Sequence, residues 1–311
     1  MVHTIITITF AAKQSIQQTM KEPDFDLQTL SRNGEEVSQY SGKKGFMVDI
    51  YPGSKKMNGL HTHTYYLMLW IKRGIGTHYI NFENISIEGN QIFFIAPGEL
   101  HKVHYENEDF DDIAIPFTEN LLNLLPPNVS NWIRFELFNN IDKSIVATID
   151  AKTERILNKW VEDINSLTYE RNDDTDYCLA ALLSVILLYL KGHASWNSEF
   201  KNHNLNKLQI FYGFRKLIED NLRDMHSPAQ YAIELGIAEY KLAAITKEIY
   251  GASPKKLINK EILLRAKRLL AENDLIVKEI AEKLGFKDAP HFVNFIKKET
   301  GMPPKQFKDC L

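Results

Sequence analysis

The apolar positions change their spacing along the chain, and this change predicts two kinds of domain. Up to about residue 148, short aromatic and β-branched runs such as 66–71, 78–82 and 91–95 alternate with Gly, Pro and Asn. Such runs are typical of strands joined by tight turns, and many of them in succession predict a sandwich or barrel. We interpret the apolar stretch 5–12 as a further strand, since it lacks the basic start and cleavage site of a signal peptide.

Beyond residue 148 the apolar residues follow helical spacing. They recur every three or four positions over 150–169, and residues 176–190 are apolar nearly all round. A helix of the second kind packs either within its own subunit or against a second copy, and both alternatives stay open here. Its apolar run 179–190 is shorter than the ~20 residues of a membrane-spanning helix, so we expect no membrane insertion. We interpret 149–192 as a helical dimerisation segment.

The tail contains one helical unit twice. Residues 193–206 are rich in Asn, Ser and His and predict a linker, whereas 207–311 are helical in pattern. The segment 231–237 recurs as 280–286, and five positions downstream recur at an offset of 50. These matched pairs are Leu242 and Phe292, Lys247 and Lys297, Gly251 and Gly301, Pro254 and Pro304, and Leu257 and Phe307. Each copy is a helix, a turn entered through Gly and a second helix, which is the helix-turn-helix pattern.

The boundaries of these helices can be predicted from their capping residues. Ser227 followed by Pro228 predicts the start of the first unit, and Asp288 predicts the start of the second recognition helix. Between the units, 255–272 reads as one long helix that holds them apart. If that separation equals one DNA turn of ~34 Å, both recognition helices can enter successive major grooves.

Residues 280–308, IAEKLGFKDAPHFVNFIKKETGMPPKQFK, closely resemble the signature of the AraC/XylS-type transcription regulators. The resemblance is strong over about 207–311, and it extends more loosely over 45–120 to the cupin-type sensor domain that such regulators often carry. It implies a sequence-specific DNA-binding regulator, in the cytoplasm, that responds to a small-molecule effector and forms a homodimer. RNA polymerase is a further partner for such a regulator. We expect no enzymatic activity.

Several positions depart from that family's usual residues. The family usually has Arg at the positions of Ala244 and Asn294, and Ser at the position of Ile276. It usually has an aromatic residue where this chain has Thr246 and Ile296. Because the two arginines are candidate DNA contacts in the family, the DNA sequence preferred by relatives cannot be carried over to this chain.

The outer faces of the two second helices supply the candidate DNA contacts. Ala243 and Ala244 suit thymine methyl groups, Tyr240 suits a phosphate or a base edge, and Asn294 suits adenine. The full candidate set is Tyr240, Ala243, Ala244, Lys247, His291, Asn294 and Lys297. The charge distribution agrees: residues 205–311 hold 19 Lys and Arg against 14 Asp and Glu, although the whole chain has a net charge of −3.

The β domain carries two segments that resemble the cupin metal-binding motifs. They are 59–63, which contains His61 and His63, and 97–101, which ends in His101. The cupin motif has a Glu four residues after the second His, but this chain has Leu67 there. The three histidines are therefore weak candidates for metal ligands, and we expect no metal or other cofactor. A ligand pocket is the preferred interpretation, lined by Tyr66, Met68, Trp70, Phe94 and His101. The alternative is a metal-dependent cupin enzyme with an accessory helical domain.

Overall composition excludes several other classes. At 311 residues, with 44% hydrophobic residues, the chain is long enough for two packed domains. Two cysteines outside any paired motif favour a reducing compartment. The predicted organisation is a cupin-like barrel over 1–148, a helical segment over 149–192, a linker over 193–206 and a DNA-binding domain with two helix-turn-helix units over 207–311.

Overall fold

The computed structural model describes residues 25–32, 35–42, 51–52, 59–81, 83–106, 109–138, 144–169, 174–197, 204–271 and 275–308. The strand expected at 5–12 lies outside the described residues, as does the middle of the predicted linker.

The described strands form two six-stranded sheets. They are β1 (Phe25–Arg32), β2 (Glu35–Gly42), β3 (Tyr51–Pro52), β4 (His61–His63), β5 (Tyr66–Arg73), β6 (Ile75–Ile80), β7 (Glu83–Glu88), β8 (Gln91–Ile95), β9 (His101–Tyr105), β10 (Asp111–Phe117), β11 (Val146–Thr148) and β12 (Ser195–Trp196). Sheet A has the order β1-β2-β4-β9-β6-β7, and sheet B has the order β12-β11-β8-β5-β10-β3. Neighbouring strands pair antiparallel except β2 and β4.

Sheet B is buried on both of its faces. Along β5, Leu67, Leu69 and Ile71 belong to the core between the sheets, whereas Tyr66, Met68 and Trp70 belong to a second core on the opposite face. Successive strand residues point to opposite faces, so a strand covered on both sides must be apolar at every position. This is why residues 66–71 form an unbroken apolar run.

Helices cover the outer face of sheet B. They are α1 (Glu119–Asn123), α2 (Pro127–Trp132), a π-helical turn (Ile133–Phe138), α3 (Ala151–Tyr169) and α4 (Thr175–His193). The side of α4 that contains Leu183 and Ile186 is fully buried in the outer core of sheet B. Among the described residues, α4 is the one helix whose length and apolar character would suffice to cross a membrane. A helix buried in a core meets the same criterion, and this burial accounts for the apolar composition of α4.

The C-terminal part contains seven described helices. They are α5 (Leu205–Asn221), α6 (Pro228–Glu234), α7 (Glu239–Tyr250), α8 (Pro254–Ala271), α9 (Val277–Lys283), α10 (Ala289–Thr300) and α11 (Pro304–Lys308). As predicted, α10 begins after Asp288, whose side chain accepts a hydrogen bond from the His291 N–H at 2.9 Å. Ile276 at the start of α9 offers no such side-chain oxygen, so that helix begins without the usual side-chain cap.

The predicted fold class is confirmed. An N-terminal domain of two β-sheets is followed by an all-helical domain in which α6–α7 and α9–α10 form two helix-turn-helix units. The dimerisation role of α3 and α4 and the exact domain boundaries stay predictions.

Candidate functional site

Each helix-turn-helix unit buries one face of its second helix and exposes the other. In α7, Leu242 and Ile245 are buried, and in α10, Phe292 and Ile296 are buried. The first helices place small Ala232 and Ala281 in the same cores. This burial leaves the outer faces of α7 and α10 accessible to a second molecule.

The structure places the candidate DNA contacts on those outer faces. Tyr240 is 80% exposed, and Ala243 is partly covered. The remaining candidates are exposed: Ala244, Lys247, His291, Asn294 and Lys297. His291 already has a local partner, because its Nδ1 lies 2.7 Å from Asp288 Oδ1. Thr246, where relatives usually have an aromatic residue, is buried, and its hydroxyl donates to the Leu242 carbonyl.

The segment that leads into the first unit contacts the second unit directly, which the sequence pattern did not predict. The loop after α5 packs against the turn of the second unit: His226 Nε2 lies 2.9 Å from the Leu284 carbonyl oxygen. Lys255 Nζ, at the start of α8, donates to the His226 carbonyl at 2.9 Å. Gly285 has a φ of +76°, and a Cβ atom added there would lie 1.6 Å from the Arg223 carbonyl oxygen. The units are therefore held together by this contact in addition to the 18-residue α8.

Four histidines form a buried cluster on the inner face of sheet A. His61 pairs with His101 across β4 and β9, and His63 shares their face by alternation. Ile80 pairs with His101 across β6 and β9, so His78 also lies on this face. Sequence reasoning missed His78, although its alternation with Ile80 was the available signal.

The histidine rings are held in the neutral state. Burial lowers the pKa of His61 and His101, and it lowers the pKa of His63 and His78 to about 3. His63 Nδ1 donates to the Tyr65 carbonyl at 2.6 Å, so its Nε2 carries a lone pair. Within the described residues, the Nε2 atoms of His63 and His101 are buried and have no hydrogen-bond partner.

The described residues include no group of three or more His, Cys, Asp or Glu side chains arranged to hold a metal ion. The carboxylate of the cupin motif is replaced by Leu67, which lies in the core between the sheets. The absence of a metal cofactor stays a prediction.

The candidate effector residues divide between two faces of the β domain. Tyr66, Met68, Trp70 and Phe94 lie together beneath the helices on the outer face of sheet B, whereas His101 faces the space between the sheets. The structure therefore does not bring all five around one pocket, and their role in effector binding stays a prediction. Alternation correctly grouped the four aromatic and sulfur-containing side chains, but it could not show which face of a doubly buried strand is the interior.

The β domain and the helical domain meet at a charged boundary. Arg268 Nη2 on α8 lies 3.5 Å from Glu99 Oε1 in the turn between β8 and β9. Glu99 also accepts hydrogen bonds from Asn81 Nδ2 at 2.7 Å and from the Ala96 N–H at 2.8 Å. A cavity of about 280 Å³ lies beside this pair, between Pro97, Phe135 and the α5 and α8 side chains. No local sequence signal marks such a pair, since 169 positions separate its members.

Comparisons with known proteins agree with the division of the chain into an N-terminal β domain and a C-terminal helical domain. Residues 51–129 match the family described as "AraC-like ligand binding domain", and residues 231–309 match the family described as "Helix-turn-helix domain". The "HTH-type transcriptional activator RhaS" of Escherichia coli (strain K12 / DH10B) is 21% identical over 257 residues, covering 80% of this chain and 86% of that protein.

The solved structures that match this chain include ToxT from Vibrio cholerae O395. It is 18% identical, with a TM-score of 0.40, and the match covers 86% of this chain and 98% of that chain. The C-terminal domain of the response regulator yesN from Fusobacterium nucleatum is 26% identical, covers 30% of this chain and 93% of that chain, and has a TM-score of 0.29.

The fold and the two matched regions define a DNA-binding transcription regulator that carries a ligand-binding domain. The chain belongs to the AraC-type regulators.

The contact between the units can be tested with two matched glycine variants. Gly236 and Gly285 both have a positive φ, but only Gly285 would bring its new Cβ against backbone, whereas Gly236 has open space within 4 Å. We expect Gly236→Ala to lower the free energy of unfolding by about 1–2 kcal/mol, the conformational cost alone. Gly285→Ala should cost at least twice as much and separate the two units. Chemical denaturation of both variants checks this, and equal losses would contradict the contact.

The buried Glu99 predicts a specific pH dependence of stability. Burial raises its pKa to about 7, against the opposing effect of Arg268. Because this lies above the ordinary value of 4.5, the folded chain holds the proton more tightly than the unfolded chain. The corresponding stabilisation is complete below pH 4.5 and is lost as the pH rises through 7.

Glu99→Gln should remove this dependence. Between pH 5 and 8, the free energy of unfolding of the unaltered chain should fall relative to the variant by up to about 3 kcal/mol. Urea denaturation at pH 5, 6, 7 and 8 measures the difference, with Glu83→Gln at an exposed position as the control. Parallel pH profiles for the unaltered chain and Glu99→Gln would show that Glu99 titrates normally.

Proposed function

We propose that α7 and α10 read DNA sequence in two successive major grooves. The observation that carries this proposal is the pair of equivalent units, each of which exposes the polar face of its second helix while a direct contact holds the units together. Asn294 is the proposed base reader, since its amide can bond an adenine edge at two points. Lys247 and Lys297 would bind phosphates, and their contribution would weaken as salt concentration rises.

Selection of duplexes from a random pool tests this proposal. The full chain is incubated with the pool at moderate salt, and bound duplexes are amplified and sequenced. We expect enrichment of a site with two half-sites about one DNA turn apart. No enrichment at any salt concentration would contradict sequence-specific binding.

The effector site proposed for the β domain lies between the two sheets, at the histidine cluster. Small-molecule sites combine apolar walls with a few placed polar groups. Here Leu67, Leu69 and Phe93 form the apolar surroundings. The Nε2 atoms of His63 and His101 are the polar groups, and within the described residues they make no hydrogen bond to the protein. The original set of Tyr66, Met68, Trp70 and Phe94 stays untested as effector contacts.

The proposed assembly is a homodimer formed through α4. Its outer side exposes Tyr177, Val185 and Leu188, which recur at helical spacing on one face. A second copy of α4 would cover this stripe with an equivalent one, as symmetric dimers require. We propose a location in the cytoplasm, because a DNA-binding regulator acts where the DNA is. A contact with RNA polymerase stays a prediction.

An enzymatic function has no observation in its favour. The relative named above is a transcriptional activator, and the cupin motif lacks its carboxylate in this chain. We therefore propose that the histidine cluster serves recognition of a ligand and not catalysis.

Two substitutions on the recognition helices separate base reading from phosphate binding. Asn294→Ala should weaken binding to the selected duplex by about 1–3 kcal/mol and leave binding to a scrambled duplex unchanged. Lys247→Ala should weaken both about equally and reduce the slope of affinity against salt by about one ion. Fluorescence anisotropy titrations over a salt series measure both. An equal loss on the two duplexes for Asn294→Ala would refute its base-reading role.

The dimer proposal predicts dissociation when charge is placed in the α4 stripe. Val185→Glu with Leu188→Glu should convert the protein to a monomer, because two like charges would be buried at the contact. Light scattering coupled to size exclusion measures the mass. Ile233→Glu, at a more exposed apolar position on α6, serves as the control and should keep the mass of the unaltered chain. A monomeric unaltered chain at micromolar concentration would rule out this interface.

A further inference from the structure

A residue of the β domain lies inside the core of the first helix-turn-helix unit. Phe135, in the π-helical turn, is 3% exposed and belongs to the same cluster as Phe211, Leu242 and Leu257. Its ring stacks on Tyr212 with centroids 5.9 Å apart, and the Arg215 guanidinium lies 5.1 Å from its centroid. The helical domain therefore does not complete this core from its own residues.

The next residue of the turn adds a polar contact to the same helix. The Tyr212 hydroxyl donates to Glu136 Oε1 at 3.2 Å. Burial raises the pKa of Tyr212, and the Glu136 carboxylate raises it further, so the hydroxyl keeps its proton and remains a donor. Phe135 and Glu136 together hold one face of α5, the helix against which α7 packs.

The opposite side of the turn is anchored in the outer core of sheet B. The Phe138 ring meets Tyr66 at 5.1 Å, Phe117 at 5.3 Å and Phe94 at 5.4 Å between centroids. Arg134 forms an ion pair with Glu119, and Glu119 Oε2 also accepts a hydrogen bond from the Tyr66 hydroxyl at 2.8 Å. A shift in the packing beneath sheet B would therefore move this turn.

The π-helical geometry explains how one turn serves both domains. In an α-helix, residues three positions apart lie on the same face, so Phe135 and Phe138 would enter the same core. The wider π-helical turn separates them and directs one ring to each domain. Such turns are rare and occur frequently at functional sites.

We propose that Phe135 is a positioning residue for the first helix-turn-helix unit, and that the π-helical turn couples the order of α5 and α7 to the packing of Phe138 in the β domain. The coupling itself is a property of the fold, whereas its effect on DNA rests on the proposed function. The core of the second unit contains no residue of the β domain among those described, and only Phe286 and Phe295 of that unit pack against the first core, so the second unit should respond much less.

Hydrogen exchange of the full chain tests the coupling without DNA. Phe135→Ala should accelerate amide exchange in α5 and α7 by at least about tenfold and in α9 and α10 by much less. Phe135→Leu should restore most of the protection, because it refills the core. Acceleration in both units to the same extent, or none in α5 and α7, would overturn the proposal.

The transmission step needs a substitution outside the helical domain. Phe138→Leu should accelerate exchange in α5 and α7 by about fivefold, although its ring contacts lie in the β domain. Phe93→Leu, equally buried but in the core between the sheets, should leave them unchanged. In a Phe135→Ala background, Phe138→Leu should add nothing further. A response to Phe138→Leu that persists in that background would show another route and refute the assignment.

A footprint on the selected duplex supplies the functional arm. Phe135→Ala should lose protection over the half-site bound by the first unit and keep protection over the second half-site. Uniform loss over both half-sites would contradict a role confined to the first unit. If the unaltered chain binds no duplex, the proposed DNA reading fails, while the exchange result decides the coupling separately.

Discussion

The structure depends on the burial of sheet B on both faces. One face closes the space between the sheets, and the other supports the helices that follow the β region in sequence. Removing apolar surface from water is the main favourable contribution to folding, and here it occurs twice on the same strands. The unbroken apolar run of β5 is the sequence signature of this arrangement.

The two domains are joined by side chains as well as by the connecting segment. Glu99 reaches Arg268 on the helix that separates the two units, and Phe135 enters the core of the first unit. Both contacts begin in short segments of the β domain that are also tied to its interior: Gly98, beside Glu99, donates to the His63 carbonyl at 2.8 Å. The histidine cluster is thus connected to α8 through the segment that contains Gly98 and Glu99. The core beneath sheet B is connected to α5 through the turn that contains Phe135.

Much of the helical domain could be predicted from the sequence, because its signals are local. Asp288 at the start of α10, the turn glycines and the repeated apolar positions each determine structure within a few residues. The β domain was harder. Strand alternation groups residues by face, but when both faces are apolar it does not show which face is interior, so it could not separate Tyr66 and Phe94 from His101. The Glu99–Arg268 pair and the insertion of Phe135 depend on how distant segments meet, which no local pattern encodes.

The close approach of Gly285 to the Arg223 carbonyl has a consequence for the operator. Because backbone atoms meet there without an intervening side chain, the angle and distance between α7 and α10 have little freedom to adjust. A site whose half-sites are spaced imperfectly must then be accommodated by bending or twisting of the double helix itself. The flexibility of the base steps between the half-sites would thereby become part of what the regulator recognises, even though no side chain touches them.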